Sequence, residues 1–205
     1  MPNSAPTGTP ATPVKRGRPG YDQQSVLRIA VGVFNKHGYE ATSMGILAEQ
    51  LGISKSAIYH HFPSKEELLR QALEEALGGL EAMLMLDGAT SGAPEARLEF
   101  VLRGMIAVLV DRLPFVTLLL RLRGNTEMER DAMARRRTFD RAMTALVADA
   151  QNSGTLRDDI EAASISRLLS GTINSIVEWY RPGGKLTAEQ LADDVLAMSF
   201  QGLRC

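Results

Sequence analysis

Between Ser54 and Lys65 the chain gathers side chains suited to gripping a polyanion: Lys55, Ser56, Tyr59, His60 and Lys65, spread around one apolar residue, Ile58. Ammonium, hydroxyl and imidazole groups in so short a run offer donors to phosphate oxygens and to base edges. They do not form a nucleophile–base pair or a metal-ligand set. The chemistry they imply is recognition rather than catalysis.

The surrounding residues supply the elements that must hold this set. Leu47, Leu51 and Ile58 fall at spacings that point to one small core, and Ala48 is small enough for close helix crossing. Gly52 lies four residues after Ala48, where the chain has to turn and positive φ costs glycine nothing. Ser54 is placed to cap a short second helix, 54–61, which Pro63 stops. Ser64 and Glu67 have the spacing of a capping box ahead of Leu68 and Leu69. The pattern predicts a helix-turn-helix followed at once by a capped third helix. In such a unit the first turn of the second helix faces base edges, so Lys55, Ser56 and Ala57 are expected in the major groove. Tyr59, His60 and Lys65 are expected at flanking phosphates, and Thr42, Ser43 and Ser54 are further candidates for DNA contact.

The segment resembles the DNA-binding region of the TetR family of transcriptional regulators. The resemblance runs through Phe34, Gly38 and Tyr39, Thr42-Ser43, Leu47-Ala48, Gly52-Ile53-Ser54-Lys55, Ile58-Tyr59-His60-His61-Phe62 and Ser64-Lys65-Glu66-Glu67-Leu68-Leu69. It covers residues 22–70, about a quarter of the chain. It implies an all-α homodimer whose amino-terminal domain binds a double-stranded operator and whose divergent carboxy-terminal domain binds a small-molecule effector. Two positions depart from the family pattern: Gly45 stands where a larger, often charged residue is usual, and Ile46 where a polar one is.

Composition agrees with this division. The 205 residues carry a net charge of −1 with 44% hydrophobic content, which suits a folded chain. Residues 1–65 hold seven basic and three acidic residues, the remainder sixteen and twenty-one. A basic amino-terminal part on an acidic body is the distribution a one-faced DNA binder needs. The lone cysteine, Cys205, leaves no intrachain disulfide and fits a reducing cytoplasm. No apolar run reaches the length of a membrane span, and residues 1–13 lack the apolar core of a signal peptide. No membrane partner and no cofactor are called for.

The whole chain reads as about nine helices with no strand pattern. Residues 1–20 are expected to be a disordered arm carrying Lys15, Arg16 and Arg18, which could follow a minor groove or phosphates. Residues 21–66 form the DNA-binding domain and 67–205 the effector and dimerisation domain. The first helix spans about 21–37, with Gly38 as a left-handed cap. A long helix from Ser64 reaches about Leu86, with Gly78-Gly79 as a point of bending, and breaks at Asp87-Gly88. Pro94 and Pro114 open the next two helices, and another runs about 127–153. The penultimate helix begins at Asp158 or Asp159 and ends at Trp179-Tyr180. After the Pro182-Gly183-Gly184 turn, Thr187 and Gln190 form a capping box for the last helix.

In the carboxy-terminal part, Phe100, Met105, Leu119 and Phe139 are the candidate apolar lining of an effector pocket. Ser170, Asn174 and Glu178, at i, i+4 and i+8, would put hydrogen-bonding groups on one face of the penultimate helix. Leu168, Ile173, Ile176, Leu196 and Phe200 are candidates for a four-helix dimer interface. Plain core packing explains each apolar residue equally well. The run Trp179-Tyr180-Arg181-Pro182-Gly183-Gly184 resembles a turn of a TetR subgroup that responds to acyl-coenzyme A esters. Arg121, Arg123, Arg135, Arg136 and Arg137 are compatible with its phosphates or with a solvated helix face. Drugs, fatty acids and aromatic metabolites stay open as effectors, as does the choice between a ligand-released repressor and a ligand-activated or effector-independent regulator. No Cys/His ligand pattern, phosphate loop or nucleophile motif supports an enzyme.

Overall fold

The structure, a computed structural model, describes residues 22–203, and among these it is all helical. The helices are α1 (Gln23–His37), α2 (Met44–Leu51), α3 (Lys55–His61), α4 (Lys65–Leu84), α5 (Asp87–Thr90), α6 (Pro94–Asp111), α7 (Leu113–Leu120), α8 (Glu127–Asn152), α9 (Ala162–Trp179) and α10 (Ala188–Leu203). The arm residues Lys15, Arg16 and Arg18, like Cys205, lie outside the described residues.

Side-chain caps start most of these helices. Asp22 Oδ1 accepts from the Ser25 amide at 2.7 Å, and Ser43, Ser54, Ser64 and Thr126 serve α2, α3, α4 and α8 in the same way. Each satisfies an orphan amide of a first turn, worth about 1 kcal/mol. Thr187 and Gln190 make the reciprocal box expected of them, at 3.0 and 3.1 Å. The box at Ser64 is only half made. Ser64 Oγ accepts from the Glu67 amide at 3.1 Å, but the Glu67 carboxylate turns forward to Arg70 and Gln71. Two short bonds from a guanidinium, at 2.7 and 2.6 Å, outcompete one backbone amide.

Three expectations are corrected. Nine helices become ten, because Asp87–Thr90 closes one helical turn where a break was expected; Gly88 permits it, since a β-carbon there would lie 2.5 Å from the Phe100 ring. The helix before the last begins at Ala162, with Glu161 before it making no side-chain cap, rather than at Asp158 or Asp159. Asp159 is spent on Arg157, whose Nε and Nη2 each donate to it at 2.6 Å, and Arg157 N reaches Leu203 O, so this stretch is held as a loop against the end of α10. Gly38 has φ +87° but ψ 145°, outside the left-handed helical region; glycine is still required by the positive φ. Gly78 and Gly79 do not interrupt α4, and Gly79 lets Val108 of α6 approach closely.

One continuous apolar core runs the length of the molecule. At its amino-terminal end α1, α2 and α3 bury Val26, Phe34, Leu47 and Ile58, with Phe62 and Leu68 completing the cluster. Helix α4 leaves this cluster and packs its later turns on α6, α7 and α8, so a single rigid element joins the two halves. Helix α7 also packs on α1. The carboxy-terminal bundle closes through α8 on α9 and α10 on α6.

Candidate nucleic-acid interface

The turn between α2 and α3 is built on Gly52, at φ 64° and ψ 31°. Gly52 N donates to Glu49 O and Ile53 N to Ala48 O, both at 3.1 Å, which seals the carbonyl end of α2 as the chain reverses. Ser54 Oγ accepts from Ala57 N at 3.2 Å and shares a 2.8 Å hydrogen bond with Ser56 Oγ. Ile58 is fully buried and anchors the short helix. With its one apolar residue turned inward, α3 leaves Lys55, Ser56, Tyr59 and His60 exposed, with Ala57 half-buried between them.

Gly45 explains one departure from the family pattern. A β-carbon there would lie 3.1 Å from Lys55 Cε and 3.3 Å from Lys55 Nζ, so the Lys55 side chain lies across the first turn of α2. Ile46 is partly exposed on the same turn, and its amide is capped by Ser43 Oγ at 3.3 Å.

The flank of the helix-turn-helix is tied down by Tyr39. Its ring meets Phe34 edge-on with centroids 5.2 Å apart, and Lys65 Nζ lies 4.2 Å above the ring centre. The same Nζ donates to Tyr39 O at 3.1 Å. Burial, reinforced by Glu66, Glu40 and Glu129, pushes the Tyr39 phenol up to about 12, so it stays neutral. Lys65 therefore clamps the α1–α2 loop to the start of α4, with its remaining donors free to meet phosphate.

Of the residues expected at DNA, Ser43, Ser54, Lys55, Ser56, Tyr59 and His60 are all exposed, on α3 and at the caps of α2 and α3. Thr42 does not belong with them. It is 1% exposed and its hydroxyl donates to Gly38 O at 2.7 Å, which holds the α1–α2 loop in shape. A threonine ahead of a serine cap had looked like a second surface hydroxyl; the carbonyl left free by the end of α1 takes it instead.

The apolar candidates for an effector pocket are packed side chains here. Met105, Leu119 and Phe139 are buried core residues, and Phe100 rests on Gly88. Close packing through glycine fills the space between α4 and α6: Met83 Sδ lies 1.9 Å from where a β-carbon of Gly104 would stand. Ser170 and Asn174 do share a groove, one between α8 and α9, whereas Glu178 lies apart, 3.8 Å from Arg121. Among the dimer candidates only Leu168 is exposed, at 68%. Ile173, Ile176, Leu196 and Phe200 are buried in the subunit's own core because they lie on the inward faces of α9 and α10. The outward face instead shows Leu168, Trp179 and Met198, of which sequence reasoning had named only the first for this role.

Sequence reasoning also missed the bonds that tie α1 and α4 to the rest of the carboxy-terminal bundle. Asn35 Nδ2 donates to Pro114 O at 2.8 Å, and Arg121 Nη1 returns a bond to Asn35 O at 3.0 Å, linking α1 to α7. Arg112 binds both the carboxylate and the carbonyl of Glu75 on α4. Arg135 of α8 bridges Glu74 and Glu81, about two turns apart on α4, at 2.9 and 2.6 Å. These side chains pull the Glu81 carboxyl below the usual range and the Arg135 guanidinium above its own.

No helix among the described residues is long and apolar enough to cross a membrane, and no group of three metal-ligating side chains is found among them.

Comparison with known proteins agrees with this architecture. Residues 26–72 match the family model for bacterial regulatory proteins of the tetR family, and residues 91–203 match a tetracyclin repressor-like carboxy-terminal domain. The chain is 28% identical over 205 residues to the HTH-type transcriptional repressor KstR2 of Mycolicibacterium smegmatis, covering 95% of this chain and 94% of that one. It is 48% identical to SCO3833, a TetR regulator family member from Streptomyces coelicolor A3, with TM-score 0.82 over 88% of this chain and 91% of that one. AibR, solved in complex with isovaleryl coenzyme A and operator DNA, is similar at 26% identity and TM-score 0.71, over 87% and 97%.

Proposed function

The chain belongs to the TetR family of DNA-binding transcription regulators, which are not enzymes, and from that premise we propose that it is a homodimeric repressor released from a palindromic operator by an acyl-coenzyme A ester. Residues 21–66 act as the operator-binding unit and 67–205 as the effector and dimerisation unit. The observation that carries the reading is α3. A capped helix with one buried residue presents Lys55, Ser56, Tyr59 and His60 outward from a rigid turn. That is a surface made to enter a major groove. Similarity to proteins named as transcriptional repressors supports repression. Similarity to AibR, bound to isovaleryl coenzyme A and operator DNA, supports the effector class.

In this reading the effector acts on α4. Its first turn is tied to the DNA-binding unit by Lys65 and Tyr39, and its later turns are held by Arg112 and Arg135 from the carboxy-terminal bundle. Ligand that shifts α6, α7 or α8 pulls α4 through these bonds, and the two recognition helices lose the half-site spacing. A coupling of about 1–3 kcal/mol is enough to change operator affinity roughly 5- to 150-fold. The packed core beneath Met83 and Phe100 must open for an acyl chain to enter; a thioether over a glycine moves readily.

The test is binding of the purified protein to its own upstream DNA, titrated with short-chain, long-chain and aromatic acyl-coenzyme A esters. Specific binding released by one ester is the expected result. Specific binding that every ester leaves intact would remove the effector class and leave the regulator.

A further inference from the structure

Helices α8 and α9 do not close fully on each other. They leave a solvent-facing groove of about 610 Å³ whose chemistry is one-sided. Arg136, Arg137 and Arg141 of α8 and Arg167 of α9 stand on its walls, against a single carboxylate, Asp140. Several other arginines of this half are matched: Arg97 with Asp149, Arg103 with Asp193, Arg112 with Glu75 and Arg135 with Glu74 and Glu81, whereas Arg130 and Arg181 donate to backbone carbonyls. None of the four groove arginines has an ion-pair partner among the described residues, and Arg141 only donates to the Thr138 hydroxyl. Four like charges around one cleft repel each other and raise its affinity for an anion.

The floor of the groove is polar and open. Ser166, Ser170 and Asn174 follow one another at i, i+4 and i+8 along α9. Ser166 is 3% exposed and lines the groove beside the other two. A β-carbon at Gly171 would meet nothing within 4 Å, so the space is not filled from this side.

We propose that the α8–α9 groove binds the phosphate-bearing head of a nucleotide-carrying ligand. Guanidinium forks match phosphate oxygens two at a time, and the hydroxyl and amide groups of α9 suit a ribose and base. The inference rests on the effector response proposed above and would seat the nucleotide of the acyl-coenzyme A, leaving the acyl chain to reach the core.

The experiment is calorimetric titration of the full-length protein with coenzyme A, ATP and inorganic pyrophosphate, beside operator binding by fluorescence anisotropy. The variants are Arg137→Ala/Arg141→Ala, Asn174→Ala and, as a charge-matched control outside the groove, Arg130→Ala/Lys185→Ala. Coenzyme A should bind the wild type and the control alike, and the groove double variant at least about tenfold more weakly, with operator affinity in the absence of ligand unchanged. Equal binding by the groove variants, or no binding of any of the three probes to the wild type, would overturn the proposal. Loss of operator affinity with a shallower salt dependence in the groove double variant would assign these arginines to DNA phosphates instead. Operator release by an acyl ester at undiminished potency in that variant would discard the groove and keep the effector reading. Groove-dependent coenzyme A binding without operator release would do the reverse.

Discussion

The Lys55 side chain crosses the amino-terminal turn of α2 directly over Gly45, its Nζ 3.3 Å from where a β-carbon would stand. Two helices of the helix-turn-helix are thereby coupled through a residue that lacks a side chain. A substitution at Gly45 has two opposite effects. Gly45→Ala removes a glycine from a helix, which should stabilise the fold by about 0.5–1 kcal/mol. It also pushes the lysine tip aside by a few tenths of an ångström, at little cost because the tip is flexible. Gly45→Glu would instead pair with Lys55 and take its charge from the DNA. We expect thermal denaturation to show a higher midpoint for Gly45→Ala, and operator binding to weaken for Gly45→Glu but not for Gly45→Glu in a Lys55→Ala background. Additive losses in that double-mutant cycle would show that the two residues act independently.

Lys65 has two claims on its ammonium. One bond goes to Tyr39 O and the charge lies over the Tyr39 ring, which leaves donors for a phosphate. Lys65→Ala should therefore lower the melting temperature, at a cost of about 1 kcal/mol. It should also weaken binding to all operator variants alike and reduce the salt slope by about one. A lowered melting temperature with an unchanged salt slope would confine Lys65 to its clamp.

The sequence made the helix-turn-helix legible because its determinants are local. Gly52, the Ser54 and Ser64 caps and the single buried Ile58 each act within a few residues. Thr42 was misjudged because its partner, Gly38 O, is a carbonyl that only the end of α1 exposes. The carboxy-terminal part was harder for the same reason at longer range. Ile173 and Ile176 lie on the same helix as Leu168, and apolarity alone does not separate the two faces of a helix that packs on both sides. Phe100 and Met83 are fixed by Gly88 and Gly104, whose role appears only once α4, α5 and α6 are side by side. Arg135 looked like one of several solvated arginines until Glu74 and Glu81 were brought opposite it.

Acid should loosen α4 before it unfolds the rest. Hydrogen bonds from Arg70 and Gln71 hold the Glu67 carboxyl down to about 2, against an ordinary 4.5. Arg135 lowers Glu81 in the same direction. A carboxylate whose folded value is depressed contributes stability that is fully present above its unfolded value and is lost as pH falls through the folded one. The Glu67 contribution is therefore constant from neutrality down to about 4.5 and disappears between there and about 2. Both partners are partly solvated, so it amounts to no more than about 1 kcal/mol. Denaturant titrations at a series of pH values should show wild type above Glu67→Gln at pH 7 and the two converging in acid. A constant difference down to pH 2 would mean that Glu67 acts by packing rather than by charge.

The proposed homodimer makes the sharpest distinction between residues of one helix. Leu168 is 68% exposed on α9 and Met198 is 62% exposed on α10, whereas Ile173 is 1% exposed and faces inward. Exposed leucine and methionine on adjoining helices of one subunit leave apolar surface that a second copy can cover. Leu168→Glu with Met198→Lys should give a monomer of unchanged helical content, since neither side chain supports the subunit core. Ile173→Ala should keep the dimer and cost about 2–5 kcal/mol of subunit stability. Sedimentation equilibrium with far-ultraviolet circular dichroism separates the two effects. A monomer should also lose cooperative operator binding, because one recognition helix reads only one half-site. If the Leu168→Glu/Met198→Lys protein sediments as a dimer, the interface lies on another face.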